Sequence, residues 1–262
     1  MSTLRVFVSG CVLQYRALFS WATPLGYASS KLMVPVFQII FFVQLGVYAS
    51  GHGDATYAAV GNAMQVTALN GIYGVTMTVG NERQFGTLPL LLASPANRMA
   101  MFMGRAAMQI VDGISSVAVG FLVAALLYGV TLGRADLPAL AVCVVLISAT
   151  TAGLGLLLGS LSLVYRDVLL IANLVYFLFL ILVGVNFPVS RLPAALQAVS
   201  WGLPMTRGIA AARLAVAGRG FDRLGGLLAG ELLTGCVYAG LGYVCFRLLE
   251  VWARRGGLQE AM

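Results

Sequence analysis

Glu82-Arg83-Gln84-Phe85-Gly86-Thr87-Leu88-Pro89-Leu90-Leu91-Leu92-Ala93-Ser94-Pro95 is a short apolar run set between two much longer ones. Arg83, Arg98 and Arg105 flank it, which predicts a loop on the cytoplasmic side of a membrane. Its middle, Leu88 to Ala93, carries no charge. A solvated loop gains nothing from four leucines, so the segment reads as an exposed apolar patch that a partner covers.

Outward from this loop the chain is apolar in long blocks. Of its 262 residues 60% are hydrophobic and only 10% charged, against about 25% charged in a soluble domain. Such a chain cannot cover a water-facing surface, so an all-α polytopic membrane protein is expected. Its net charge of +7 is explained by arginines at cytoplasmic loops and lipid headgroups, and no nucleic-acid partner is implied. A crossing helix needs about 20 mostly apolar residues. Six stretches qualify: 32–49, 59–80, 104–130, 138–163, 168–186 and 224–249. The third and fourth exceed the minimum and have room to tilt or to extend beyond lipid.

An even number of crossings puts both termini on one side. Ten Lys and Arg residues fall on the face holding the termini and the 81–107 loop, against six on the other, so both termini are expected to be cytoplasmic. Five of the six lie in 187–223, against the rule. That segment is therefore expected to fold partly into the membrane. Phe187-Pro188, Leu192-Pro193 and Leu203-Pro204 bracket two apolar pieces, 194–203 and 206–216, each too short to cross. A re-entrant helix pair over 187–217 fits this pattern.

The first 27 residues differ again. Leu4, Val8, Cys11, Tyr15, Leu18 and Ala22 share one helical face, with Arg5, Ser9, Arg16, Ser20 and Thr23 opposite. This predicts an amphipathic helix in the headgroup layer, with a corner at Pro24-Leu25-Gly26. The start lacks a basic end, a short apolar core and a small-residue cleavage site, so no cleaved leader is expected.

Chemistry is sparse. The four cysteines lie in apolar segments without metal spacing and read as small buried hydrophobes. The single histidine, His52, belongs to an outer loop, so neither a zinc site nor a Ser/His/Asp constellation can be assembled. The only lysine, Lys31, is followed by Leu32, whereas a phosphate-binding loop needs Lys-Ser or Lys-Thr after its glycines. Any ATP-driven work must come from another polypeptide. Asp112 and Glu231 lie inside spans. They either snorkel or pair locally, Asp112 with Arg105 for example, or serve a proton or substrate. Gln65, Asn70 and Asn173 either bond between helices or line a pathway. Gly155 with Gly159, and Gly226 with Gly230, have the spacing that lets helices approach closely.

The order of features, an interfacial helix, two spans, a docking loop, three spans, a re-entrant pair and a last span, resembles the ABC-2 type transporter permeases. The loop carries the resemblance most specifically. Their pattern runs Glu-x-x-x-Gly-Thr-Leu-Glu-x-Leu-Leu and then Ser-Pro, and stands here as Glu82, Gly86, Thr87, Leu88, Leu91, Leu92, Ser94 and Pro95. Phe187-Pro188, Leu192-Pro193, Leu203-Pro204-Met205-Thr206 and Ala212-Arg213 are similar to daunorubicin-resistance permeases and to nodulation-factor and polysaccharide exporters. One departure is Pro89, where these permeases usually carry an acid. It is tolerated in the first turn of a helix that Thr87 caps.

The resemblance implies a single transmembrane domain over 1–262 in a bacterial inner membrane, with two permease copies, identical or homologous, and two ATPase subunits. It implies a coupling helix within 81–98, with Glu82, Arg83, Phe85, Gly86, Thr87, Leu88, Leu91 and Leu92 meeting the ATPase. Arg166 and Asp167 form a second contact. No cofactor is expected on this chain, with ATP and Mg on the partner. The cargo is expected between the permease copies along the first, second and fifth spans, past Asn70, Tyr176, Phe177 and Phe179, with Phe187, Trp201 and Pro204 at an outer gate. An amphipathic drug or natural product is the expected cargo, a lipid-linked glycan, polysaccharide or lipo-oligosaccharide the alternative. A proton-coupled secondary transporter using Asp112 or Glu231 leaves the apolar loop unexplained.

Overall fold

The computed structural model describes residues 3–20, 24–50, 55–87, 90, 97–165 and 167–252. Among them the chain is helical with no strand. Helix α1 spans Thr3–Ser20 and α2 spans Pro24–Ser50. Next come α3, Ala55–Ala68, a π-helical turn at Leu69–Gly74, and α4, Val75–Gln84, as one continuous helical course. Then follow α5, Arg98–Tyr128, α6, Leu137–Leu161, and α7, Val168–Leu182. Two short helices, α8 at Ala194–Gly202 and α9 at Thr206–Val216, precede α10, Phe221–Trp252.

Among the described residues four helical stretches are long and apolar enough to cross a membrane: Lys31–Tyr48, Arg98–Tyr128, Leu137–Leu161 and Phe221–Trp252. Their ends follow local chemistry. Asn97 caps α5 by accepting from the Ala100 N–H at 3.2 Å, and Gly129 closes it in the left-handed region at φ 63°. Asp136 caps α6 by accepting from the Ala139 N–H at 3.0 Å. Pro24 opens α2, where a missing N–H costs little.

Helix α6 is the hub. It packs along α10 and also meets α9, the π turn, α4, α5 and α7. In its most apolar window 61% of the residues are buried in protein, against 17% for α2 and 22% for α10, so the rest of the subunit leaves those two helices mostly uncovered. Gly155 and Gly159 do mediate close approach. A Cβ on Gly155 would collide with the Gly71 carbonyl, and one on Gly159 would press on Thr76 and Val79. Of the second pair, Gly226 faces open space and Gly230 lies against the Arg207 side chain. The α6–α10 seam is made instead at Gly235, beside Thr150, and Gly242, beside Leu157.

Two expected crossings take another form. The second is interrupted by the π turn, in which the Val75 N–H reaches back to the Asn70 carbonyl. The fifth stops at Leu182 rather than 186, about 22 Å of helix at 1.5 Å per residue. Gly184 turns the chain at φ 76°, and Asn186 donates to the Leu180 carbonyl at 3.2 Å. This non-helical backbone is enclosed by protein, with Val183 and Val185 buried.

Helix α1 lies on α5 through glycines. Gly10 abuts the Met101 backbone, Gly104 abuts Phe7, and the Cys11 thiol donates to the Gly104 carbonyl at 3.1 Å. The face toward α5 holds Phe7, Gly10 and Cys11, so of the predicted apolar face only Cys11 is shown against α5. Leu4, Val8 and Tyr15 on that predicted face stay exposed, and the side chains of Leu18 and Ala22 lie outside the described residues.

Candidate functional site

The root of the 82–95 loop is built at the end of α4. Backbone bonds from Phe85 N–H to Asn81, Gly86 N–H to Arg83 and Thr87 N–H to Glu82 close the helix. Gly86 supplies the left-handed turn at φ 69° with open space around it. The described bonds of Thr87 run backward, its hydroxyl donating to the Glu82 carbonyl at 3.1 Å and to the Glu82 carboxylate. Phe85 and Leu90 stand 67% and 74% exposed. Leu88, Leu91 and Leu92, with the helix expected over 88–93, lie outside the described residues.

Glu82 is not available as a loose acidic contact. Its carboxylate pairs with Arg105 of α5 at 2.6 Å, both side chains being nearly buried. Arg105 also donates to the Thr78 carbonyl at 3.0 Å. The local pairing expected between Asp112 and Arg105 is thus corrected. Arg105 reaches across to α4, while Asp112 pairs with Lys31 of α2. The reason is geometric: Arg105 and Asp112 are on one helix, whereas Glu82 and Lys31 face them from packed neighbours and satisfy each charge without stretching along the axis.

Both elements expected to meet a partner come together at one end of the bundle. Arg83 donates to the Ser162 carbonyl at 2.9 Å, which fixes the loop root beside the turn joining α6 to α7. In that turn Tyr165 and Asp167 are exposed, and Arg166 lies outside the described residues. At the same end Arg98, opening α5, pairs with Glu250 near the close of α10. Beneath these polar ties is a small separate core of Val79, Phe102, Leu163 and Phe246, with the Phe102 and Phe246 rings edge-to-face at 5.5 Å. Four helix ends are thereby braced as one unit beside exposed Phe85 and Leu90.

The residues expected along a path are only partly assembled. Tyr176 donates to Gln38 of α2 at 3.1 Å, and its ring lies 5.5 Å from that of Tyr73, whose hydroxyl donates to Asn173. This polar tract joins α2, the π turn and α7. Nearby in sequence, Gln65 is fully buried, and neither its amide nitrogen nor its amide oxygen has a partner among the described residues. Phe179 is buried in the core and Phe177 points outward, because neighbouring helical residues diverge by about 100°. Asn70 is elsewhere, donating to Ser116 of α5 at 2.9 Å.

The 187–217 segment folds as the α8–α9 hairpin. Helix α9 is deeply packed, with Ile209, Ala211, Ala212 and Ala215 inaccessible. Its N-terminus is held by Glu231, whose carboxylate accepts from the N–H groups of Met205 at 2.6 Å and Gly208 at 3.0 Å and from the Thr150 hydroxyl at 2.7 Å. Glu231 therefore turns inward rather than snorkelling. Arg213 donates to the carbonyls of Tyr57 and Val185 and stacks over the Tyr57 ring at 3.5 Å. Trp201 is partly exposed, its carbonyl accepting from Arg207. Pro204 is buried and Phe187 half-buried. Sequence alone had marked Glu231 and Arg213 as anomalies of charge, without their partners.

The sequence model of one protein family, described as ABC-2 type transporter, matches residues 11–216. No curated protein matches the chain.

Proposed function

Since the chain belongs to the ABC-2 type transporter family and is accordingly a multi-pass permease subunit of an ABC-type transporter, we propose that it exports an amphipathic drug or natural product and is driven by a separate ATPase gripping the 82–95 loop. Six crossings, with both termini cytoplasmic, put the loop and the 162–167 turn on the ATPase side and the α8–α9 hairpin on the other as a re-entrant gate. Two ATPase copies, carrying ATP and Mg, serve two permease copies in a bacterial inner membrane.

One observation supports this reading above others. Exposed Phe85 and Leu90 project from a base braced by Glu82–Arg105, Arg83–Ser162 and Arg98–Glu250. A push on a loop so rooted is transmitted to α4, α5, α6 and α10 together, because the ties are short and largely shielded from solvent screening. Movement of α4 passes through the π turn to the Tyr73–Tyr176 tract and so to α2 and α7. Glu82 acts inside the subunit, as the joint between α4 and α5, and the partner meets mainly apolar side chains.

Changing Leu91 and Leu92 together to Asp tests the reading. The complex with the cognate ATPase is expected to fall apart on co-purification, and ATP-driven export to fall with it, while the permease still accumulates in the membrane. Retention of both complex and export at the parental level would refute the docking role.

A further inference from the structure

A cleft of about 280 Å³ opens between α2, the π turn and α5. Lys31, Asn70, Gln109, Asp112 and Ser116 are its polar lining, and Val34 and Val66 are among the apolar residues that line it with them. We propose that this cleft binds the uncharged, hydroxyl-bearing head of an amphipathic molecule, whose tail lies along α2. The site is within one subunit and is separate from the braced loop end and from the Tyr73–Tyr176 tract.

Charge selects the head. The Lys31 ammonium donates to the Asp112 carboxylate and, at 3.0 Å, to the Asp112 carbonyl. The pair contributes no net charge, and the other three polar residues are neutral. A charged head would have to break this pair or enter without a counter-charge, which is costly at membrane depth. An uncharged hydroxylated head needs neither. Asn70 donates to Ser116, and Ser116 donates to the Asp112 carbonyl at 3.0 Å, which leaves acceptor capacity on the lining.

Gln109 is the unexplained member. Its side chain is buried, with 6% of the residue exposed, and its amide makes no hydrogen bond among the described residues. Such a group, lining the cleft, offers one acceptor and two donors to a molecule that enters it. Space has been kept for it: a Cβ on Gly74 would stand 2.6 Å from the Gln109 amide. The π turn puts Gly74 there, and π turns of this kind are frequent at ligand sites. The volume is just below the range of about 300–1,000 Å³ usual for ligand pockets. It suits a head of one ring, with the chain left outside against Val34, which is exposed on α2.

The test uses this chain alone in lipid nanodiscs, so it does not depend on the reading of the 82–95 loop. An octyl glucoside bearing a photoreactive group on its chain is added below its micelle-forming concentration, and the crosslinked peptides are mapped. Labelling is expected on α2 near Val34, displaced by plain octyl glucoside but not by octyl phosphocholine or octyltrimethylammonium of equal chain length. Gln109→Leu is expected to weaken displacement by about tenfold, a hydrogen-bond-sized effect, with Gly74→Ala acting in the same direction. Labelling elsewhere, equal displacement by all three heads, or unchanged displacement in Gln109→Leu would overturn the site. The three-head comparison is made on the unaltered protein and holds even if a variant misfolds. Adding octyl glucoside to the complex with its ATPase separates the two sources of such a head. A change in ATP hydrolysis identifies cargo and an unchanged rate a resident lipid, and either supports the site once the labelling pattern holds.

Discussion

Glu231 shows how one residue can hold a whole segment. Its carboxylate is inaccessible and satisfies two backbone N–H groups at the start of α9 together with the Thr150 hydroxyl. Glu231→Leu removes every acceptor at once and leaves the Met205 and Gly208 N–H groups buried without partners. A loss of about 3 kcal/mol is expected, read as a lower thermal unfolding midpoint of the purified protein. A midpoint equal to the parent would show that α9 is held by packing alone. Arg105 is the second such residue. Arg105→Met leaves the Glu82 carboxylate without its buried partner, so the variant is expected to bind the ATPase yet lose at least half of its ATP-driven export. Full export with Arg105→Met would remove Glu82–Arg105 from the coupling path. In the sequence Glu231 stood out as a charge inside an apolar span and Arg105 as a charge flanking the 82–95 loop. Their partners did not, because each bond crosses between helices whose relative height no sequence spacing records.

At the scale of elements, close contact is made where glycine removes a side chain at a crossing. Gly155→Val puts branched carbon into the Gly71 carbonyl and is expected to drive α6 off the π turn, with little folded protein recovered by size-exclusion chromatography. Gly226→Val, facing open space, is expected to elute and unfold as the parent does. Equal behaviour of the two would deny α6 its role as hub. Both pairs have the same four-residue spacing, so periodicity could not separate them; only the neighbour opposite each glycine does. Similarly, the run Tyr176, Phe177, Phe179 was legible as aromatic, but its members are dispersed around α7, one bonded, one outward and one in the core.

The whole molecule has two ends of different build. At one, polar ties and the Val79–Phe102–Leu163–Phe246 core brace four helix ends; at the other, the α8–α9 hairpin lies over α6 and α10. In a cysteine-free version of the protein, Phe85→Cys is expected to react with a membrane-impermeant thiol reagent only after the cells are permeabilised. Leu196→Cys, on exposed α8, is expected to react in intact cells. The opposite pattern would invert the topology proposed above. The proposed function depends on this polarity, since a motor on one side and a gate on the other would require the intervening helices to move as levers.

Amino-acid order alone settled that the chain is helical and lives in a membrane, since 60% hydrophobic residues in long blocks leave few other places for its surface. It also marked the 82–95 loop and the broken 187–217 segment, because charge runs and prolines act locally along a chain. The pairings of Glu82 with Arg105, Lys31 with Asp112 and Glu231 with α9, the π turn under Gly155 and the early stop of α7 were decided only by the tertiary structure. Each of these depends on which helix faces which and at what height, and that is set by the packing of all the helices together rather than by any one of them.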